Sequence, residues 1–171
     1  PEAPGNVTAG DTEGWADIEV PGEWAMQGFV VEKGKPAAYV REFEVPADWK
    51  DHPVRLRFDA VHSVCTAWLN GVQVGQHEGG FVPFEFDVTS AARPGKNVLA
   101  LAVTSESLVD TLASADQYAA HQLGGIVRKV ELFALPAVHA TEANSVADYD
   151  AERRLGILTA RVSTSADARL R

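Results

Sequence analysis

Four side chains close together in the sequence have the chemistry to hold a polyhydroxylated ligand: Asp116, Gln117, Tyr118 and His121. A carboxylate accepts charge-assisted hydrogen bonds from hydroxyls. An amide, a phenol and an imidazole add donors and further acceptors. All four fall within residues 110–125, whose helical periodicity over 109–120 is weak and reads as a loop or a single turn. Long loops on a rigid scaffold often carry binding residues. An ordinary surface loop fits the same composition equally well.

Other reactive side chains are weaker candidates. His62, Cys65 and His77 match no established metal-ligand spacing, so no metal site is assigned. No EF-hand-like run is present, and a structural calcium held by scattered oxygens is not readable from sequence. The aromatic faces of Trp24, Trp49 and Trp68 suit the C–H faces of sugars, but large aromatics are more often core. Trp15, in a polar segment, is expected to be exposed or packed locally.

Composition narrows the partners. The 171 residues are 46% apolar and 23% charged, ordinary for a globular protein. A formal net charge of −9 argues against nucleic acid and against an anionic membrane surface. A neutral ligand is compatible with it. A lone cysteine, Cys65, rules out an internal disulfide and leaves the compartment open. No run of about 18 apolar residues exists to span a bilayer. The chain begins Pro1-Glu2-Ala3-Pro4, without methionine or signal-peptide pattern, which reads as a piece of a longer chain.

The elements that must position these side chains read as short strands. Val54, Leu56 and Phe58 alternate with Arg55 and Arg57, and residues 84–88 alternate in the same way. Leu99, Leu101 and Val103 are separated only by alanines, which predicts a strand covered on both sides or packed under a loop. Asn70-Gly71 between two apolar-rich runs predicts a type I′ hairpin, because both residues tolerate positive φ. Pro94-Gly95 marks a second turn, and Pro46 and Pro53 bracket another connection. The pattern predicts an all-β fold, an antiparallel jelly-roll β-sandwich. A break near Pro136 separates it from a short strand extension, with candidate strands at 145–149 and 156–163.

Four segments in order resemble glycoside hydrolase family 2, which includes β-galactosidases and β-glucuronidases. They are Val20-Pro21-Gly22-Glu23-Trp24-Ala25-Met26-Gln27-Gly28, then Ala38-Tyr39-Val40-Arg41-Glu42-Phe43-Glu44-Val45-Pro46, then residues 58–89 with the Trp68-Leu69-Asn70-Gly71 hairpin and His77-Glu78-Gly79-Gly80-Phe81, and finally Gly124-Gly125-Ile126-Val127-Arg128-Lys129-Val130-Glu131-Leu132. Each is weak alone; four in order over about 20–135 are specific. The resemblance implies a galactose-binding-domain-like jelly roll over residues 1–136. It implies that 137–171 is the truncated start of an immunoglobulin-like domain, with a (β/α)₈ barrel beyond.

Retaining glycosidases need two carboxyl groups, and in this family both are barrel glutamates. A barrel takes about 250 residues, so no catalytic residue is carried over. The resemblance implies that Asp116 and Gln117 lie in the loop that supplies an aspartate to the substrate pocket in β-galactosidases of the family. The spacing from Asp116 to Gly125 is longer than usual there, and Tyr118-Ala119-Ala120-His121 replaces an aromatic stretch, which makes Tyr118 and His121 alternative pocket residues. Arg41 stands where some members place a polar residue against the sugar, and it fits a domain-interface contact equally well. Arg128 is either an interface arginine or a solvated one. The implied role is a non-catalytic sugar-binding domain that shapes the pocket of a downstream barrel, with carbohydrate and the parent's other domains as partners and no cofactor. An independent carbohydrate-binding module would bind sugar by itself, whereas a purely structural domain would tolerate every loop mutation.

Overall fold

The structure is a computed structural model and describes residues 12–32, 34–107 and 123–167. The chain divides into two compact units, Pro1–Ala134 and Leu135–Arg171. No α-helix occurs among the described residues.

The first unit holds seven strands: β1 (Ala37–Val45), β2 (Val54–Phe58), β3 (Val64–Leu69), β4 (Val72–Glu78), β5 (Phe84–Asp87), β6 (Gly95–Thr104) and β7 (Val130–Ala134). They form a four-stranded sheet in the order β1-β6-β3-β4 and a three-stranded sheet in the order β5-β2-β7. Every pairing is antiparallel. The chain passes repeatedly between the sheets, giving the antiparallel β-sandwich that the alternating strands predict.

The core lies between the two sheets. Val54, Leu56 and Phe58 of β2 face Cys65, Ala67 and Leu69 of β3 and Leu99, Leu101 and Val103 of β6, all buried in one cluster. Each large side chain withdrawn from water in this way contributes about 1.5–3 kcal/mol. Arg55 and Arg57 point outward by the same alternation. They join ion pairs across the outer face: Arg55 to Asp87 at 2.6 Å, Arg57 to Asp59 at 2.8 Å and Arg57 to Glu85 at 3.1 Å. β6 is the middle strand between β1 and β3, and Ala100, on its other face, is also buried. Burial on both faces accounts for its nearly unbroken apolar sequence.

The β3–β4 hairpin turns on Asn70 and Gly71, with φ of 53° and 83°, as a type I′ turn requires. The Asn70 side chain does more than allow the turn. Its amide donates to the Ala91 carbonyl and to Asn97 Oδ1, each at 2.8 Å, and its oxygen accepts from the Val98 amide at 3.0 Å. Asn97, fully buried, donates in turn to the Arg93 and Gly95 carbonyls. The hairpin tip is thereby fastened to the start of β6.

One expectation is refined. Trp68 is nearly buried, at 9% exposure, yet it does not belong to the intersheet core. It alternates with Ala67 and Leu69, so it lies on the opposite face of its sheet, beside Ala100. Trp24 is a core residue, Trp49 packs partly buried against the core, and Trp15 is 44% exposed.

The second unit is a hairpin of β8 (Ala140–Asp150) and β9 (Leu155–Thr164). Both strands are longer than the sequence pattern suggests. Arg154 has a φ of 53° and closes the turn, and Asp150 Oδ1 accepts from the Glu152 and Arg153 amides.

Candidate functional site

The four sequence segments meet at one end of the sandwich. The backbone around Gly124–Ile126 is the hub. Gly22 donates to the Ile126 carbonyl at 2.8 Å, and Trp24 donates to the Gly124 carbonyl at 3.1 Å. On the other side, His62 and Gly125 exchange backbone hydrogen bonds as an isolated bridge. The 20–24 segment and the 60–63 segment are thus tied together through the glycine pair.

Side-chain packing explains why two glycines stand here. Gly124 lies against the indole of Trp24, and a β-carbon at that position would collide with the ring. Gly125 has a φ of 108°, and a β-carbon there would press on the Tyr39 hydroxyl. Tyr39 brings β1 into the same assembly. Burial pushes its phenol up to about 12, Glu23 nearby adds to the shift, and the Ile126 backbone amide works the other way. Glu23 Oε2 accepts from the Met26 amide at 2.8 Å, which caps the turn after Trp24.

The loop after β4 completes this end. His62 is fully buried, with its ring edge-to-face on Phe81 at 5.2 Å between centroids. Gly80 leaves room for that ring, since a β-carbon would strike it. Phe81 itself is 60% exposed. His77 stacks on Phe84 at 3.9 Å. His62 and His77 are therefore engaged with aromatic rings, and among the described residues no group of three His, Cys, Asp or Glu side chains could hold a metal ion.

Asp116, Gln117, Tyr118 and His121 lie outside the described residues, as do residues 109–120 as a whole. The stems of their loop are described. Ser105 and Ser107 are buried on the entering side, and Gly124 and Gly125 on the returning side. Both stems sit at the end where Trp24, His62 and Tyr39 converge.

Arg41 lies in β1 opposite Leu99 and is exposed. It stands two residues along the strand from Tyr39, about 7 Å. It shares a face with Tyr39 and Phe43 and lines a cleft between the sheets. Arg128 is exposed, and its charge, with that of Lys129 and more strongly Arg57, helps hold the Asp59 carboxyl below the usual range. Sequence reasoning missed Glu23 and the packing role of Tyr39; their signal was adjacency to Trp24 and Arg41, but contact with Gly125 is visible only in three dimensions.

Known proteins resemble this chain in sequence and in fold. The Priestia megaterium β-galactosidase is 34% identical over 150 residues, covering 74% of this chain and 14% of that protein. The Halalkalibacterium halodurans β-galactosidase is 31% identical, covering 86% of this chain and 17% of that protein. The chain thus spans roughly a sixth of these relatives. Among solved structures, an uncultured Clostridium sp. β-glucuronidase superposes with a TM-score of 0.62 at 30% identity, covering 75% of this chain and 24% of that one. A Ruminococcus gnavus β-glucuronidase in complex with D-glucaro-d-lactam gives a TM-score of 0.74 at 22% identity, over 93% of this chain and 31% of that one, a likeness of fold. Residues 9–136 match the description "Glycosyl hydrolases family 2, sugar binding domain", and the chain belongs to that family.

Proposed function

We propose that this domain shapes the substrate pocket of a β-galactosidase-like glycoside hydrolase, with residues 110–125 facing the sugar and with catalysis performed by carboxylates of a separate barrel domain. The observation that carries this reading is the pair of buried stems, Ser105 and Ser107 before the loop and Gly124 and Gly125 after it, anchored where four sequence segments converge. Long connections that leave a rigid sandwich from buried stems are frequent carriers of binding residues. Asp116 and Gln117 are the proposed hydroxyl ligands, with Tyr118 and His121 as further contacts. Arg41, two residues along β1 from Tyr39, is proposed as a further contact, either to the sugar or to a neighbouring domain. The second unit is proposed as the opening strands of an immunoglobulin-like domain.

The reading predicts that the domain alone binds galactose or glucuronate no more tightly than roughly millimolar, about −4 kcal/mol. A few loop contacts must offset the cost of ordering the loop. In the complete enzyme, Asp116→Ala and His121→Ala should each lower kcat/KM and leave Tm nearly unchanged, whereas Trp68→Ala should lower Tm. Full activity in both loop variants would leave the domain a structural support only. Micromolar binding by the isolated domain would make it a carbohydrate-binding module in its own right.

A further inference from the structure

Asparagine stands directly before glycine only at Asn70-Gly71; Asn6 and Asn97 precede valine, and Asn144 precedes serine. Such a pair can react with itself. The Gly71 backbone nitrogen attacks Cγ of the Asn70 side chain and forms an N–C bond. The Cγ–Nδ2 bond breaks, and the proton lost from the Gly71 nitrogen leaves with Nδ2 as ammonia. Water then opens the cyclic imide at either of its carbonyls, giving aspartate or isoaspartate. The net reaction consumes water, releases ammonia and needs no oxidant. A side chain on the second residue shields the attacking nitrogen. Glycine has none, so an unfolded chain reacts first at Asn70.

The fold holds the reacting group. Asn70 Nδ2 donates to the Ala91 carbonyl and to Asn97 Oδ1, each at 2.8 Å, and Asn70 Oδ1 accepts from the Val98 amide at 3.0 Å. Both hydrogens of the side-chain amide are therefore engaged. Turning Cγ toward the Gly71 nitrogen breaks these bonds together. Asn97 does not yield readily, because it is fully buried and held on its own account. It accepts from the Arg93 amide at 3.1 Å and donates to the Arg93 and Gly95 carbonyls at 2.6 and 2.7 Å. Gly71 is exposed, so water reaches the imide wherever it forms.

The product does not fit the place the amide leaves. A carboxylate only accepts, and it would face two acceptors, the Ala91 carbonyl and Asn97 Oδ1. Turning the Asn97 amide over to donate would set its NH₂ against the Arg93 N–H and strip the Arg93 and Gly95 carbonyls of their donor. Isoaspartate is worse still, since it adds a backbone carbon to a two-residue turn whose φ values are 53° and 83°.

We propose that Asn70 is a self-modification site held shut by the fold. Its amide converts to an acid only when the hairpin tip opens, and the conversion keeps the tip from fastening to β6 again. The chain thereby records each lasting opening of the β3–β4 tip as an added negative charge.

The experiment incubates the 171-residue chain, and a synthetic peptide of residues 66–74, in one mildly alkaline buffer. Peptide mapping by mass spectrometry follows acid and isoaspartate at position 70. The folded chain should convert more than about tenfold more slowly than the peptide, because reaction waits on a local opening whose free energy divides the rate. Asn97→Ala, which removes one acceptor of the Asn70 amide, should speed conversion. Gly124→Ala disturbs the packing beside Trp24, beyond the other end of β3, and should leave the rate unchanged. Asn70→Asp should unfold at a lower urea midpoint than the parent. Equal rates in chain and peptide would overturn the proposal, and that comparison needs no variant. So would an unchanged rate in Asn97→Ala, an equal acceleration in Gly124→Ala, or an Asn70→Asp midpoint that matches the parent's.

Discussion

Single residues set the geometry of the converging end, and glycines do so by absence. Gly124 leaves room for the Trp24 indole against the backbone, so Gly124→Ala must displace either a core ring or the backbone of the loop stem. Overpacking of this kind costs about 1–3 kcal/mol. Gly156, in the β8–β9 hairpin, has open space where its β-carbon would stand and no positive φ, which makes Gly156→Ala a fair control. Urea unfolding should show a lower midpoint for the first variant and little change for the second. If Gly124→Ala unfolds at the parent's midpoint, the Trp24 contact is not what requires glycine there. The sequence made Gly124-Gly125 visible as a motif but hid its reason, because Trp24 and Tyr39 reach it from distant segments. Trp68 shows the converse limit. Its apolar type foretells burial but not which face of β3 it occupies, since Ala67 and Leu69 beside it are apolar as well.

At the scale of elements, the strands and their turn were legible because their signals are local. Period-two alternation fixed the faces of β2, and Asn70-Gly71 fixed the hairpin. The fastening of that hairpin to β6 was not legible, because Asn70 and Asn97 meet only after the sheets form. Asn97→Ala should strip several buried groups of their partners and cost about 2–4 kcal/mol. Asn70→Gly keeps the positive φ and loses only the side-chain bonds, so it should cost less. Denaturant unfolding of both variants tests that ranking, and a reversed order would mean that turn conformation matters more than the network. The outer face of the β5-β2-β7 sheet makes a different prediction. Hydrogen bonds hold Asp59 and Asp87 below the ordinary carboxylate value, Asp59 chiefly through Arg57 and Asp87 chiefly through Thr89, with nearby cations adding to both. A depressed carboxylate stabilises the fold above its unfolded pKa of about 3.9, and that contribution disappears as pH falls through the lower folded value. Stability should therefore decline below about pH 4, and less steeply in Asp59→Asn. Because Asp87 is exposed and Asp59 is only partly buried, added salt should flatten the difference between the two proteins.

For the whole molecule, the two units rest on different physics. The sandwich buries Phe58, Val61, Leu69 and Val103 completely, around a free thiol, Cys65, that burial pushes up to about 12. The second unit is one antiparallel hairpin whose register places Ala143, Ala147, Tyr149, Leu158 and Val162 on a single face. Tyr149 is 61% exposed and Leu158 71%, so that apolar face is largely uncovered. Two strands alone are marginally stable in water, because ladder hydrogen bonds formed in place of bonds to water give little without a buried face. Amides of β8 and β9 should then open locally and exchange early, whereas those of β6 should exchange only through opening of the whole sandwich. Cys65 supplies an independent clock for that global opening, since a buried protonated thiol reacts with a disulfide reagent only when exposed. The expected result is agreement between the free energies from β6 exchange and from Cys65 labelling, with β8–β9 exchange several kcal/mol easier. Protection of the hairpin equal to that of β6 in a dilute monomer would show that it is an integral part of the sandwich and would refute its reading as the opening strands of another domain.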